Sequence, residues 1–298
     1  MPSALETSIY RTLAYFEYFK YPLTSFEIWK WLLAPGQTVA LGEVVACLDK
    51  SDWLKSKVSE YQGFYALGQV AAWRQDRHLR FLDAMRKFHK VSRLLHLFGR
   101  LPWVDGIAVC NSLSWHHTKS DSDIDLFFIV KPGRIWSVRL LATIPVMLLR
   151  QRPGEATSDP ICLSFFCTSD ALAFETLKIG DQDPYLAYWC RSLVPLVDHG
   201  GWMDKFEMYN PWLHEVLPQA QYVRRASRFR SDMRIRWPWL PLRESLAKQI
   251  QMEHFPAAIR ELMNRDSRVV ITDQMLKFHD RDARAQILKA LDDKLAAL

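Results

Sequence analysis

The stretch that decides the fold is Val109–Val130, which reads VCNSLSWHHTKSDSDIDLFFIV. It begins at the end of an apolar strand, continues through a small polar loop at 114–122, and ends in a second strand that starts at Asp123. Successive side chains of a strand point to opposite faces of a sheet, so Asp123 and Asp125 are predicted to point the same way. At an effective dielectric constant of about 20, unit charges roughly 4 Å apart repel each other by about 4 kcal/mol.

Two carboxylates held this close at the edge of a buried sheet need compensation. Either one of them takes up a proton, or a cation lies between them. Mg²⁺, or Mn²⁺ in its place, is bound by a few carboxylates and completed by substrate phosphates, so it is the predicted cofactor. Asn111 and Ser112 follow the preceding strand, and this turn can present backbone N–H groups and a hydroxyl to a phosphate. The alternative is an ordinary acidic strand start, which is common in proteins.

These residues resemble the polymerase-beta-like nucleotidyltransferase superfamily. Its pattern is a strand, a Gly-Ser or similar turn, a short loop and then an Asp-hydrophobic-Asp-hydrophobic strand; here ten residues separate Ser112 from Asp123. Ser112 matches the family serine, and Asp123 and Asp125 match its two metal-binding aspartates. The resemblance covers roughly residues 104–217. Asn111 replaces the usual glycine, and asparagine also tolerates the left-handed backbone of such a turn.

The family's third carboxylate has no clear counterpart in this chain. The resemblance places it on the strand predicted at Ile161–Thr168, which contains no acidic residue. Asp159 precedes that strand and Asp170 follows it, and nothing in the spacing requires either one to reach the site. In the family this carboxylate helps to hold the metal that activates the attacking hydroxyl. Its absence therefore bears on turnover and leaves nucleotide and magnesium binding as expected.

Composition predicts a cytoplasmic protein that does not enter a membrane. The chain has 298 residues, which suggests two or three domains, and its 49% hydrophobic and 24% charged residues are ordinary for a soluble globular protein. The N-terminus lacks a secretory pattern. The longest apolar run, Ile135–Leu149, contains Arg139 and Pro145 and is too short to span a bilayer. Five cysteines without a Cys-X-X-Cys pair indicate buried thiols in a reducing compartment.

Residues 1–70 resemble a winged helix-turn-helix. The predicted elements are helices at 3–20, 25–33 and about 40–51, followed by hairpin strands at 53–58 and 63–67. This segment contains six basic and seven acidic residues, whereas a reader of duplex DNA needs several cations on one face. Packing against protein, or a degenerate winged helix, is therefore favoured over DNA binding.

Two segments are strongly basic. A helix predicted at 71–100 contains eight basic and two acidic residues, the basic ones lying between Arg74 and Arg100, and the segment 221–265 contains ten basic and four acidic residues. Solvated basic surfaces are the simpler interpretation. The alternative is that 74–100 and 221–265 bind nucleic acid, for which arginine interleaved with Trp237 and Trp239 is a typical composition.

The predicted fold class is α+β, with a mixed nucleotidyltransferase-fold sheet and flanking helices. The predicted divisions are a winged-helix-like domain (1–70), a basic linker helix (71–100), a nucleotidyltransferase-like domain (101–217) and a basic, mainly helical C-terminal region (218–298). The Trp and Tyr residues of the central domain are expected in its core, although stacking on a nucleobase is the alternative. His116 and His117 are expected to be exposed, since consecutive histidines rarely serve one metal.

The predicted function is transfer of a nucleotidyl group from a nucleoside triphosphate to a hydroxyl. Asp123 and Asp125 would hold the metal and act in catalysis, while Asn111 and Ser112 would bind phosphate. The acceptor could be a protein side chain, a small molecule such as an aminoglycoside, or an RNA end. The rival hypothesis is a catalytically impaired protein of this fold that binds nucleotide, nucleic acid or a protein partner. The missing third carboxylate and Asn111 in place of the usual glycine favour the rival, and the intact Asp-Ile-Asp favours the enzyme.

Overall fold

The structure is a computed structural model that describes residues 2–156, 158–220, 242–280 and 282–297. Over these ranges it has an α+β fold with a three-stranded sheet and a separate six-stranded mixed sheet. The first elements are α1 (Ala4–Glu17), β1 (Leu23–Thr24), α2 (Ser25–Lys30), α3 (Leu41–Lys50), α4 (Asp52–Lys55), β2 (Ser59–Tyr61) and β3 (Phe64–Ala66). Trp237, Trp239 and the other basic-segment residues at 221–241 lie outside the described residues.

The hairpin of the N-terminal region starts later than the alternating pattern predicts. The expected strand at 53–58 is wrong, because the Ser51 hydroxyl accepts a hydrogen bond from the N–H of Leu54 and starts the short helix α4, and a turn follows before β2 begins at Ser59. The strands β2 and β3 instead flank Gln62 and Gly63, which both have positive φ angles. Two such residues form the turn that matches the natural twist of a hairpin.

The remaining elements build the larger sheet and its covering helices. They are α5 (Val70–Phe98), β4 (Val104–Val109), α6 (Asn111–Ser114), β5 (Ile124–Val130), α7 (Ile135–Leu148), β6 (Ile161–Thr168), α8 (Pro184–Ser192), β7 (Val194–Asp198), α9 (Trp202–Tyr209), α10 (Trp212–Val216), α11 (Glu244–Glu253), α12 (Ala257–Leu262), β8 (Val269–Ile271), β9 (Met275–Phe278) and α13 (Arg284–Ala296). The strand order is β7-β4-β5-β6-β9-β8. Only β5 and β6 are parallel, and α7 makes the crossover between them.

The C-terminal region contributes strands as well as helices. The short strand β8 pairs with β9, and β9 pairs with β6 as an interior strand of the six-stranded sheet. The helices α11 and α12 are separated at Pro256, which is the N-cap of α12. Between β6 and α8 the chain forms a short 3-10 turn at Glu175–Leu177.

Both faces of the larger sheet are covered by a hydrophobic core. Phe127 and Ile129 face a core that continues into α1 and the N-terminal region. Leu126 and Phe128 face the other core, which is closed by α5, α7 and α11. The five cysteines are free thiols. Within the described ranges, no helix combines the length and apolar composition needed to cross a bilayer.

Candidate functional site

Three neighbouring strands bring the predicted site residues together. Asp123 immediately precedes β5 and Asp125 is its second residue. Cys162 of β6 lies beside Asp125 in the parallel register. On the other side, the N–H of Cys110, which follows β4, donates to the backbone carbonyl of Asp125 at 3.2 Å. The acid pair, Asp123 and Asp125, therefore lies between the end of β4 and the start of β6.

Asn111 orients the inner carboxylate of this pair. Its backbone has a φ of 54°, which confirms that asparagine adopts the left-handed turn after β4. Its Oδ1 accepts a hydrogen bond of 2.8 Å from Nε1 of Trp189. Because an indole can only donate, the amide NH₂ of Asn111 is left to donate to the Asp125 carboxylate. One asparagine thus shapes the turn and holds the acid.

The electrostatics of the acid pair favour a bound cation. Burial and, second, the neighbouring Asp123 raise the pKa of Asp125 to about 6, while hydrogen bonds from Asn111 and Cys162 partly offset the rise. Burial also raises the pKa of Asp123, and Lys87 acts in the opposite direction. At pH 7 the carboxyl of Asp125, with its pKa of about 6, is therefore mostly ionised. No described residue forms a salt bridge with either carboxylate.

Neither candidate for the third carboxylate belongs to the site. Asp159 forms ion pairs with Arg86 and Lys87, and these contacts lower the pKa of Asp159 to about 2. Asp170 is exposed beyond the opposite end of β6. The place beside Asp125 is taken by the thiol of Cys162. The described residues contain no group of three His, Cys, Asp or Glu side chains able to hold a metal ion.

The buried cation behind the acid pair was not predicted. Lys87 of α5 is fully buried, so the expectation of a solvated basic face is wrong for this residue. Its Nζ lies 3.1 Å from Oδ1 of Asp159 and donates to the carbonyl oxygen of Ser122, next to Asp123. Other cations of α5 are also used within the fold, in the pairs Arg77–Glu27, Arg80–Asp76 and Arg86–Asp83.

The acid pair opens into a cavity of about 750 Å³, named here the main cavity. Its opposite wall comes from the C-terminal region and includes Lys277, His279 and Arg284. Sequence reasoning missed these residues, although Lys277 and His279 alternate on a strand-like segment and could have been noticed. His279 lies 3.2 Å from the Ser164 hydroxyl through its Nε2, and burial followed by Lys277 lowers the pKa of His279 to about 3.

A smaller cavity of about 130 Å³, named here the aromatic chamber, lies beside the main cavity. Asn111 lines both cavities, as do Tyr185 and Trp189. Ser112, predicted to bind phosphate, lines the aromatic chamber and not the main cavity. The other lining residues are Tyr15, Phe16, Phe19, Tyr21, Trp115 and His117. The aromatic side chains predicted as core therefore also enclose a space next to the acid pair.

His117 is a partly buried residue of this chamber, which corrects the expectation of an exposed loop histidine. Its Nε2 is 2.9 Å from Nη1 of Arg80 and 3.2 Å from the carbonyl oxygen of Phe19. Its ring contacts Tyr21 edge-on, with the ring centroids 4.9 Å apart. Burial and the adjacent Arg80 lower the pKa of His117 to about 4, so its imidazole is neutral at pH 7.

Comparison with protein-family models, with curated protein sequences and with solved structures gives no match to this chain. Its function must therefore be inferred from its own site.

Proposed function

We propose that this protein binds a nucleoside triphosphate with Mg²⁺ and transfers the nucleotidyl group to a hydroxyl acceptor. The observation that carries the proposal is the position of Asn111. It holds Asp125 in the main cavity and also lines the aromatic chamber. A nucleotide needs both environments side by side, one for a metal and phosphates and one for a planar base. The strand, turn and acid-pair order that resembles nucleotidyltransferases supports the same assignment.

The residues of the acid pair fit Mg²⁺. Asp125, with a pKa of about 6, is mostly ionised at pH 7, Asp123 is near enough to raise that pKa, and neither carboxylate forms an ion pair with a described cation. Two protein carboxylates leave several ligand positions for water and phosphate oxygens, as magnesium prefers. When bound, the metal would neutralise charge on the triphosphate and favour in-line attack at the α-phosphorus. Asn111 would keep Asp125 oriented toward it through the amide hydrogen bond.

The aromatic chamber suits the base of the nucleotide. Trp115, Tyr185 and Trp189 supply aromatic surface, and stacking of this kind is worth about 1–3 kcal/mol per base. His117 adds a polar edge, because its Nδ1 is buried and has no hydrogen-bond partner among the described residues. Helix α1 forms another wall through Tyr15. The N-terminal region would thereby take part in nucleotide binding, which agrees with its lack of a DNA-binding charge.

A second candidate function is nucleotide binding without turnover. Cys162 stands beside Asp125, on the strand where the resemblance expects the third carboxylate. Burial, followed by the nearby Asp125, raises the pKa of this thiol well above its usual range. A neutral thiol is a poor substitute for a carboxylate in binding a hard cation. This replacement favours a protein that holds a nucleotide and has lost the transfer step.

One assay distinguishes the two candidate functions, transfer and binding without turnover. Purified protein is incubated with each of the four radiolabelled nucleoside triphosphates and Mg²⁺, with and without cell extract. We expect labelled acceptor with the wild type and none with the double variant Asp123→Asn/Asp125→Asn. Asp170→Asn, which changes an exposed aspartate outside the cavity, is the matched control and should behave as wild type.

Binding without transfer would support the second candidate. In that case Cys162→Asp, which adds a carboxylate beside Asp125, should produce measurable transfer. Mg²⁺-dependent nucleotide binding, measured by equilibrium dialysis, should still disappear in the double variant. Absence of both transfer and Mg²⁺-dependent binding from the wild type would refute both candidates.

A further inference from the structure

The main cavity has a second polar region, on helix α7, away from the acid pair. Arg139 and Thr143 are four residues apart, so they lie on the same face of the helix, and both line this cavity. Helix α7 covers the sheet face of Leu126 and Phe128, opposite the face of Asp125. The cavity thus extends past the start of β6 and joins the two faces of the sheet.

Arg139 carries a positive charge that the described residues do not balance. Its Nη1 donates to Oε1 of Gln251 at 2.6 Å, and its guanidinium carbon lies 4.3 Å from the centroid of the Phe278 ring. No carboxylate in the described ranges forms an ion pair with it. Burial, and then the like charge of Arg152, lowers the pKa of Arg139 to about 10. Arg152 lines the same cavity.

Two polar atoms of this region have no hydrogen-bond partner in the described structure. They are Nε of Arg139 and Oγ1 of Thr143, and both are shielded from solvent. A threonine hydroxyl in a helix commonly bonds the carbonyl four residues earlier, which makes the unbonded Thr143 hydroxyl unusual. Leaving buried donors unpaired destabilises a fold, because each has lost its hydrogen bonds to water without gaining another. Val146 and Ile259, which line the same wall, show that apolar residues fit there.

We propose that Arg139 and Thr143 form an oxyanion-binding site that holds a phosphate or carboxylate group. An oxyanion supplies the missing negative charge between Arg139 and Arg152. It also accepts hydrogen bonds from a planar guanidinium in the geometry that arginine provides best. Because the site shares the main cavity with the acid pair, the group belongs to the second substrate, the hydroxyl acceptor. This last assignment, unlike the oxyanion site itself, rests on the proposed function.

The oxyanion site is tested by titrating the full chain with inorganic phosphate and, separately, with acetate. Binding is followed by isothermal titration calorimetry, with the shift in melting temperature as a second readout. We expect saturable binding of at least one anion to the wild type. Arg139→Met should weaken it roughly tenfold to a hundredfold, since it removes hydrogen bonds to a charged group. Thr143→Val, which preserves shape, should weaken it by a smaller factor.

Three controls make the result decisive. Arg265→Met removes a cation whose side chain is 64% exposed and should bind as wild type. Asp123→Asn/Asp125→Asn should retain anion binding, so failure of the nucleotide proposal remains distinguishable from failure of this one. Without anion, a cooperative melting transition of Arg139→Met should show that the variant folds, since loss of the unbalanced charge stabilises it and loss of the hydrogen bond to Gln251 opposes that gain.

Other outcomes would overturn the oxyanion site. They are a wild type that binds neither phosphate nor acetate, an Arg139→Met variant that binds as tightly as the wild type, and loss of anion binding in the acid-pair variant. Stronger binding of one anion would identify the chemistry of the group, phosphate or carboxylate.

Discussion

Asn111 meets three requirements that few side chains could meet together. Its backbone is left-handed, its Oδ1 accepts from Trp189, and its amide donates to Asp125. Glycine would satisfy the first requirement alone, and alanine would satisfy none. Compared with a glycine at this position, asparagine therefore adds hydrogen bonds around the acid and still permits the turn.

Replacement of Asn111 separates the backbone effect from the hydrogen-bond effect. Asn111→Gly and Asn111→Ala should both be less stable than the wild type, because a buried indole N–H loses its acceptor at a cost of about 1–3 kcal/mol. Asn111→Ala should be less stable than Asn111→Gly by about 1 kcal/mol, because its Cβ is strained at positive φ. Urea unfolding measures both differences. Equal stability of the two variants would show that the turn relaxes in solution.

The pKa of Asp125 provides an independent readout of the same two Asn111 variants. Loss of the Asn111 amide removes a hydrogen bond that lowers the pKa of Asp125, so this pKa should rise above about 6 in both variants. Carbon-13 NMR titration of labelled aspartate measures it. An unchanged pKa would mean that Asn111 does not donate to Asp125.

Helix α5 acts as an internal support for the loop that carries the acid pair. Lys87 and Arg86 hold Asp159, and Lys87 also bonds the backbone of Ser122. Lys90 donates to the backbone carbonyl of Asp159 at 2.9 Å. A helix whose composition indicates a basic surface thus uses much of its charge to connect the segments that precede β5 and β6.

Removal of the buried cation should loosen this support. Lys87→Met leaves the carboxylate of Asp159 with fewer partners, and loss of one member of a buried ion pair typically costs about 3–5 kcal/mol. Since Arg86 remains, we expect roughly 3 kcal/mol in the free energy of unfolding, measured with urea. Lys248→Met, which breaks an exposed pair with Asp273, should cost less than about 1 kcal/mol. Similar losses in the two variants would contradict a supporting role for Lys87.

Strand β4 leaves no room for a side chain at Gly106. A Cβ at Gly106 would lie 2.2 Å from Nε1 of Trp202, which donates to the carbonyl of Val197 at 2.8 Å. Gly106→Ala should therefore lower the free energy of unfolding by about 1–3 kcal/mol. Gly42→Ala, in helix α3 with open space around the new Cβ, should instead raise it by roughly 0.5–1 kcal/mol. Thermal unfolding of both variants checks the opposite signs.

Across the whole molecule, the N-terminal region and the larger sheet share one core. The rings of Tyr15 and Tyr188 stack with centroids 4.2 Å apart, and the Tyr188 hydroxyl donates to the carbonyl of Trp31 at 2.8 Å. The Tyr21 hydroxyl donates to the carbonyl of Trp115 at 3.1 Å. His117 lies at this junction. The aromatic chamber exists because the two parts pack together.

Low pH should destabilise the packing between the N-terminal region and the larger sheet, because His117 is buried there as a neutral imidazole. Its pKa is about 4 in the folded protein and about 6.5 in an unfolded chain, so between these values the unfolded state binds the extra proton. Its contribution to stability is complete above about pH 6.5 and decreases as the pH falls toward 4, by about 1.4 kcal/mol per unit. Urea unfolding across this range should show a shallower pH dependence for His117→Gln. Parallel profiles would refute burial of a neutral imidazole.

Local patterns in the sequence determined the α+β class, most helix positions, and the strand, turn and acid order from Asn111 to Asp125. These features depend on contacts within a few residues, such as the cap formed by Thr24 and the alternation along β5. The alternating pattern predicted a strand wrongly where a helix cap was also present, as at Ser51, which caps α4.

Only the tertiary structure decided what surrounds the acid pair. Long-range packing placed Cys162 beside Asp125, buried Lys87 behind it, and drew Asp159 into ion pairs. It also brought Arg139 to the same cavity as the acid pair, on the opposite face of the sheet. Strand register and burial depend on residues far apart in the chain, and these distant contacts set which charges are balanced. The sequence could therefore indicate the acids, whereas their partners, the two cavities and the unpaired arginine required the folded chain.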